Sequence, residues 1–325
     1  MFLRVRSVHS ALLLTLVLCA SQFFTTRHLS AGQSNSLLDI SADGKLLACS
    51  NRDSGSVTIV DLKASKKLHE IKVGKHPEGV SFVGDSHQVA TAVYDEDRIV
   101  FLNADTGKQT GQTEVFDEPY GVVSTTDGKR IFVTLDYPGK IVEIDPATKK
   151  IVREFSSGKH LRGIAVSSDN QSLFTTEYYS ALVRRVDVKT GKTVDEWPGG
   201  STDNLSRQIT LHPRRAKAYL PHIRSRITVA HGAGSIFPIV SIVDTKPKAG
   251  KRRRKIPMDS FRGARVTCNP WDTAITPDGK TFFIVFAGTD DLYVSNVIDD
   301  DYRELTFRGS LNVGANPRGV RVAPD

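Results

Sequence analysis

An all-β fold built from repeated four-stranded sheets is predicted by three observations: a 42-residue internal period, β-branched runs of strand length, and turn residues at fixed places between them. The pairs Gly79-Val80, Gly121-Val122 and Gly163-Ile164 recur at separations of 42 residues. Turn signals keep the same step at Asp43-Gly44-Lys45, Gly84-Asp85-Ser86, Asp127-Gly128-Lys129 and Asp169-Asn170-Gln171, with displaced copies at Pro213-Arg214-Arg215, Asp278-Gly279-Lys280 and Pro324-Asp325. Within one copy, Arg130-Ile131-Phe132-Val133-Thr134, Lys140-Ile141-Val142-Glu143-Ile144-Asp145 and Lys150-Ile151-Val152-Arg153-Glu154-Phe155 read as strands divided by short turns. The Asp-Gly pairs suit tight hairpins because glycine accepts a positive φ, and Asp145, Asp187, Asp61 and Asp244 stand where a turn needs a side-chain acceptor. A single sheet cannot bury both of its faces, so successive copies must stack. A 42-residue, four-stranded unit has the size of a β-propeller blade.

Composition agrees. The chain has 325 residues, 39% apolar and 25% charged, which excludes collagen, coiled coil and wholesale disorder. Its net charge of +8 is local: Lys246, Lys248, Lys251, Arg252, Arg253, Arg254 and Lys255 supply seven charges, and Arg4, Arg6 and Arg27 three more. That run lacks interleaved aromatics, so it reads as a solvated loop and not as a nucleic-acid surface. The three cysteines, Cys19, Cys49 and Cys268, make no C-x-x-C or C-x-x-C-H motif, so no cofactor is expected in this chain and any redox chemistry must come from elsewhere.

Arg4, Arg6 and His9 precede the apolar residues 11–20, a stretch of signal-sequence length that is too short to cross a bilayer. Residues 1–21 are read as a signal peptide with cleavage after Ser21, and 22–34 as a linker. The propeller then spans 35–325, with an insertion at about 221–263, and no later segment approaches transmembrane length. A periplasmic, secreted or cell-surface location follows.

Val73-Gly74-Lys75-His76-Pro77-Glu78-Gly79-Val80, the strand Arg130-Ile131-Phe132-Val133-Thr134 and Val313-Gly314-Ala315-Asn316-Pro317-Arg318-Gly319-Val320 resemble the V-G-x-x-P-x-G-V and Y-V-T-N elements of the YVTN-type propeller repeat of surface-layer-like exported proteins. The chain departs from that pattern at Leu161, at Glu118-Pro119-Tyr120 and at Thr134-Leu135. The block from Pro221 to Gly263, with Asn269-Pro270-Trp271 and Gly314-Ala315-Asn316-Pro317-Arg318, resembles exported bacterial propellers that precede c-type cytochrome or cytochrome-c-peroxidase-like modules. The resemblance implies a seven-bladed design whose seventh blade is truncated, leaving six blades plus one inner strand, Gly319-Val320-Arg321-Val322. It also implies a protein partner or a downstream redox module.

The chemistry is read from the departures, since repeats specify scaffold and insertions specify function. Arg214 and Asp278 lie 64 residues apart, an insertion of about 22 over the period. The candidate ligand- or partner-binding residues are His222, Arg224, His231, Arg262, Trp271, Asn316 and Arg318, donors with one large aromatic. His76 and His160 occupy one interblade position two copies apart. With His222 and His231 they are the only candidates for a metal, without the short spacing that prearranges a site. No catalytic motif such as G-x-S-x-G or H-E-x-x-H occurs, so the reading is a non-catalytic interaction or scaffold module. A propeller lactonase, with a site assembled from several blades, and a metal-binding propeller are the alternatives.

Overall fold

The computed structural model describes residues 33–34, 36–227, 234–246, 253–298 and 303–324. The segment read as a signal peptide, most of the linker, and His231 lie outside the described residues. Six antiparallel sheets follow one another along the chain as the blades of a propeller ring, with almost no helix. Blade 1 comprises Leu38–Ile40, Leu46–Asn51, Ser56–Asp61 and Lys66–Lys72, paired in that order from the inside outward. Blades 2, 3, 4 and 6 repeat it, with inner strands Pro77–Phe82, Pro119–Ser124, Leu161–Val166 and Pro270–Ile275.

Position within a blade explains composition. Every residue of Pro77–Phe82 and of Pro119–Ser124 is buried, because neighbouring blades cover both faces of an inner strand. The outer strands Lys66–Lys72 and Lys150–Ser156 are mostly exposed and carry the lysines. The core accordingly lies between blades: Val57, Ile59, Val80, Val100 and Leu102 join blades 1 and 2, and Ile99, Phe101, Val133 and Val142 join blades 2 and 3. Each such side chain contributes about 1.5–3 kcal/mol on leaving water, so no blade is stable without its neighbours.

The repeated turn is a side-chain device. Ser41, Thr125, Ser167 and Thr276 hydroxyls donate to Asp43, Asp127, Asp169 and Asp278 at 2.5–2.6 Å, and the same carboxylates accept the backbone N–H two residues on. The hydrogen bond from Thr125 holds the Asp127 carboxyl below its ordinary pKa. The repeated inner-strand glycine has a different cause, close approach. A Cβ on Gly79 would lie 2.6 Å from the Tyr120 carbonyl oxygen of the next blade, and one on Gly121 2.5 Å from that of Arg162.

Two expectations need correction. Among the described residues much of the expected insertion is strand and not loop: Lys217–Ile227 and Gly234–Asp244 pair along their whole length, and Arg253–Pro257 adds the next strand. Alternating apolar residues (Tyr219, Val240, Ile242) pack against blade 6, which is why the extra residues lengthen the sheet. The end of the basic run is likewise strand. Lys255 Nζ lies 2.5 Å from the buried Asp203 carboxylate, and Arg253 donates to the carbonyls of Ala181 and Trp197, so local carboxylates and carbonyls absorb these charges. The inner strand of this blade is split into Asp203–Asn204 and Thr210–Leu211.

The second correction concerns the seventh inner strand. Residues 313–324 form no strand. They lie against the ring all the same: Val320 N–H donates to Asp272 Oδ2 of blade 6 (3.1 Å), and Gly319 packs on Leu38 of blade 1. Ser36 Oγ donates to the same Asp272 oxygen at 2.5 Å, so the two ends of the ring meet on one buried carboxylate. Gln33–Ser34 pairs antiparallel with the inner strand of blade 4, against Val166 and Ala165.

Candidate functional site at the channel mouth

The inner strands line a central channel, and the residues that enter them stand at its mouth. The entry is the same in blades 2 to 6 and recurs at Asn316. His76, Glu118, His160, Leu205, Asn269 and Asn316 all adopt a left-handed conformation, with φ between 45° and 58°. A turn carboxylate fixes it: Asp97 accepts from Glu118 N–H, and Asp290 from Asn316 N–H. The residue two places further on is therefore delivered to the mouth from blades 2 to 6 and from the segment after blade 6: Glu78, Tyr120, Arg162, Arg207, Trp271 and Arg318.

These side chains build a ladder of cations and rings. The Arg318 guanidinium carbon lies 5.0 Å from the Trp271 ring centroid, and that of Arg207 lies 4.0 Å from it. Arg207 also lies 5.2 Å from Tyr178, and Arg162 is 3.8 Å from Tyr178 and 4.8 Å from Tyr120. Charge is only partly balanced. Arg162 Nη2 is 2.7 Å from Asp136 Oδ2, and Arg52 Nε is 2.5 Å from Glu78 Oε1. Arg207 donates to the Leu205 carbonyl, Asn269 Oδ1 and the Tyr178 hydroxyl, and Arg318 to Asn316 Oδ1. Among the described residues neither makes an ion pair with a carboxylate, though the Arg318 charge acts on Glu78 from a distance. Burial, with the Arg162 charge adding to it, draws the Arg207 guanidinium below the ordinary arginine pKa. Burial and the nearby Glu78 carboxylate raise the Tyr120 phenol.

Trp271, Asn316 and Arg318, three of the expected site residues, thus come together at one place. The others do not. His222 is fully buried in the long strand of blade 5, not in a loop, where Nδ1 donates to the Ile223 carbonyl (3.0 Å) and Nε2 accepts from Ser241 Oγ (2.7 Å). Burial lowers its pKa to about 4, so it is neutral. Arg224 is in the same strand, over the Phe237 ring at 4.8 Å, and Arg262 is exposed in the connection to blade 6. His76 and His160 do share one position, as expected from their spacing, but each turns to a separate carboxylate: His76 to Asp95 of its own blade at 2.7 Å and His160 to Asp136 of the preceding blade at 3.3 Å. Among the described residues no three His, Cys, Asp or Glu side chains are grouped to hold a metal ion.

Arg207, Arg162, Tyr120 and Tyr178 escaped the sequence reading. The signal for two of them was present: Glu78, Tyr120, Arg162 and Arg318 are the variable residue ahead of the repeated glycine. Arg207 was hidden because it lies 45 residues after Arg162 and 64 before Trp271.

Neither a protein-family model nor a curated protein matches the sequence. Solved structures share the fold. A chain of the Kuenenia stuttgartiensis hydrazine synthase superposes with a TM-score of 0.79 at 20% identity, covering 94% of this chain and 93% of that one. A chain of the mitotic checkpoint complex gives 0.61 at 16% identity over 77% and 71% of the two chains. The Cps50 (Swd1) β-propeller domain of Myceliophteria thermophila gives 0.62 at 12% identity over 93% and 92%. At these identities the likeness is one of fold, and the chain is a β-propeller.

Proposed function

We propose that this chain is an exported, non-catalytic interaction propeller that docks a protein partner on the face around the channel mouth, within a redox assembly of the c-type cytochrome kind. The observation that carries the reading is the composition of that face. The arginine and aromatic ladder is extended by the exposed Tyr179, whose ring lies 4.8 Å from that of Tyr178, and Phe116 and Tyr137 are exposed on loops of blade 3. Arginine and aromatic residues are the types that dominate interface energetics. The YVTN-type repeat and the leader-like N-terminus support export. Chains of the same fold come from a hydrazine synthase and from the mitotic checkpoint complex, which fits a propeller that works in assemblies. The entry geometry at Asn316 and the seat of Gly319 on Leu38 support reading residues 316–322 as the inner position of a seventh unit.

The test places a photo-crosslinking amino acid at Tyr179 and, as a control, at the equally exposed Val152 on the outer strand of blade 3, in the organism that makes the protein. A discrete cross-linked partner from Tyr179 and none from Val152 is expected, with the mature N-terminus near Gln22 in a non-cytoplasmic fraction. Staining of the adduct for covalent haem tests the redox association. Equal or absent cross-linking at the two positions overturns the docking face.

A further inference from the structure

Three donors at the channel mouth lack a negatively charged acceptor among the described residues. Arg207 is 93% buried by its 7% exposure and makes hydrogen bonds only to neutral groups among the described residues. Arg318 donates to the neutral Asn316 Oδ1, and among the described residues the indole Nε1–H of Trp271 is buried without an acceptor. All three belong to one contact, since both guanidiniums lie against the Trp271 ring. A buried cation without a counter-charge and a buried N–H without an acceptor are each costly, and aromatic stacking offsets only part of that cost. The arrangement is complete only with an acceptor of negative charge between these groups.

We propose that the partner is held by a carboxylate of its polypeptide, an aspartate or glutamate flanked by apolar residues, seated on Arg207, Arg318 and the Trp271 N–H. This rests on the interaction reading above and names the chemistry of its contact. A single negative charge fits better than a phosphate, because Glu78 and Asp136 stand at the same mouth and repel a dianion more strongly. A polypeptide fits better than a free acid, because the exposed Tyr179 ring lies 4.8 Å from that of Tyr178, which the Arg207 guanidinium also meets, and offers apolar surface beside the seat. Planar guanidiniums suit carboxylate geometry, and their fixed charge makes the contact independent of pH above the carboxyl range.

The purified full chain is titrated calorimetrically with a blocked peptide of alternating Glu and Tyr, its Gln and Tyr counterpart, glutarate and inorganic phosphate. The Glu peptide is expected to bind at least tenfold more tightly than the other three, with an affinity that falls as salt rises. Arg207→Gln and Arg318→Gln are each expected to weaken it at least tenfold while still unfolding cooperatively. If Arg207→Gln does not fold, Arg318→Gln carries the test, since it changes a less buried side chain. Equal binding of the Gln peptide, no binding of either peptide, or undiminished binding by Arg318→Gln overturns the proposal. Glutarate or phosphate matching the Glu peptide overturns it in favour of a small-anion site. Cross-linking from Tyr179 that persists in Arg318→Gln, with no preference for the Glu peptide, leaves the docking face standing and removes the carboxylate. Loss of cross-linking in the parent removes both.

Discussion

Replacing Asp39 by asparagine is expected to abolish one identifiable part of the pH dependence of stability. Asp39 lies in the inner strand of blade 1, buried, with Oδ2 accepting the Phe82 N–H of blade 2 at 2.7 Å. Burial raises its pKa from 3.8 to about 6, and the Arg321 charge opposes the rise only in part. The folded protein therefore holds this proton more tightly than the unfolded chain does. The stabilisation is fully present below about pH 4, declines as pH rises through about 6, and is gone above that. A shift of about two units corresponds to about 3 kcal/mol. Asparagine keeps an acceptor for Phe82 and carries no proton to titrate. Urea unfolding of both proteins from pH 4 to 8 should show the variant gaining about 2.5 kcal/mol on the parent across that interval, the rest falling below pH 4 where the unfolded carboxylate titrates. Other carboxylates titrate alike in both proteins and cancel in the difference. A difference constant to within about 0.5 kcal/mol, inside the uncertainty of extrapolation, refutes the assignment.

Glu304 is fully buried among Arg215, Lys217 and the Tyr219 hydroxyl, with Lys217 Nζ at 2.6 Å and Tyr219 Oη at 2.7 Å. Glu304→Ala takes the buried carboxylate away from Lys217 and the buried Tyr219 hydroxyl and is expected to cost about 3–5 kcal/mol by urea unfolding, and a loss below 1 kcal/mol contradicts this. Gly121→Ala forces a Cβ into the Arg162 carbonyl oxygen of the next blade and is expected to cost about 1–3 kcal/mol. Gly263→Ala meets no atom within 4 Å and is strained only by its φ of 83°, so about 1 kcal/mol is expected. Thermal melts of the pair check the order, and a reversed order excludes interblade contact as the reason for the repeated glycine.

The positions that the sequence made legible are those where one physical demand is repeated in every blade. The turn aspartates, the strand runs and the period all answer local or nearest-neighbour requirements, so they recur at constant spacing and announce a propeller of four-stranded blades. Trp271, Asn316 and Arg318 were expected for a different reason, as donors and one large aromatic in segments that depart from the plain repeat, and the structure brings them to one place. Arg207 was not, because blade 5 shifts the period on both sides of it. His222 misled because a polar residue in an insertion reads as exposed, whereas here pairing with Ser241 and the Ile223 carbonyl satisfies it inside a sheet.

Sequence alone thus determined the architecture, since backbone turns and alternating burial are specified within one repeat and copied along the chain. Which side chains meet was decided only by closure of the ring. Arg318 and Arg207 are 111 residues apart and share one indole because inner strands converge on a common channel. Asp272 accepts from both Ser36 and Val320 for the same reason: a ring brings its first and last segments to one place, and no spacing along the chain records that they touch.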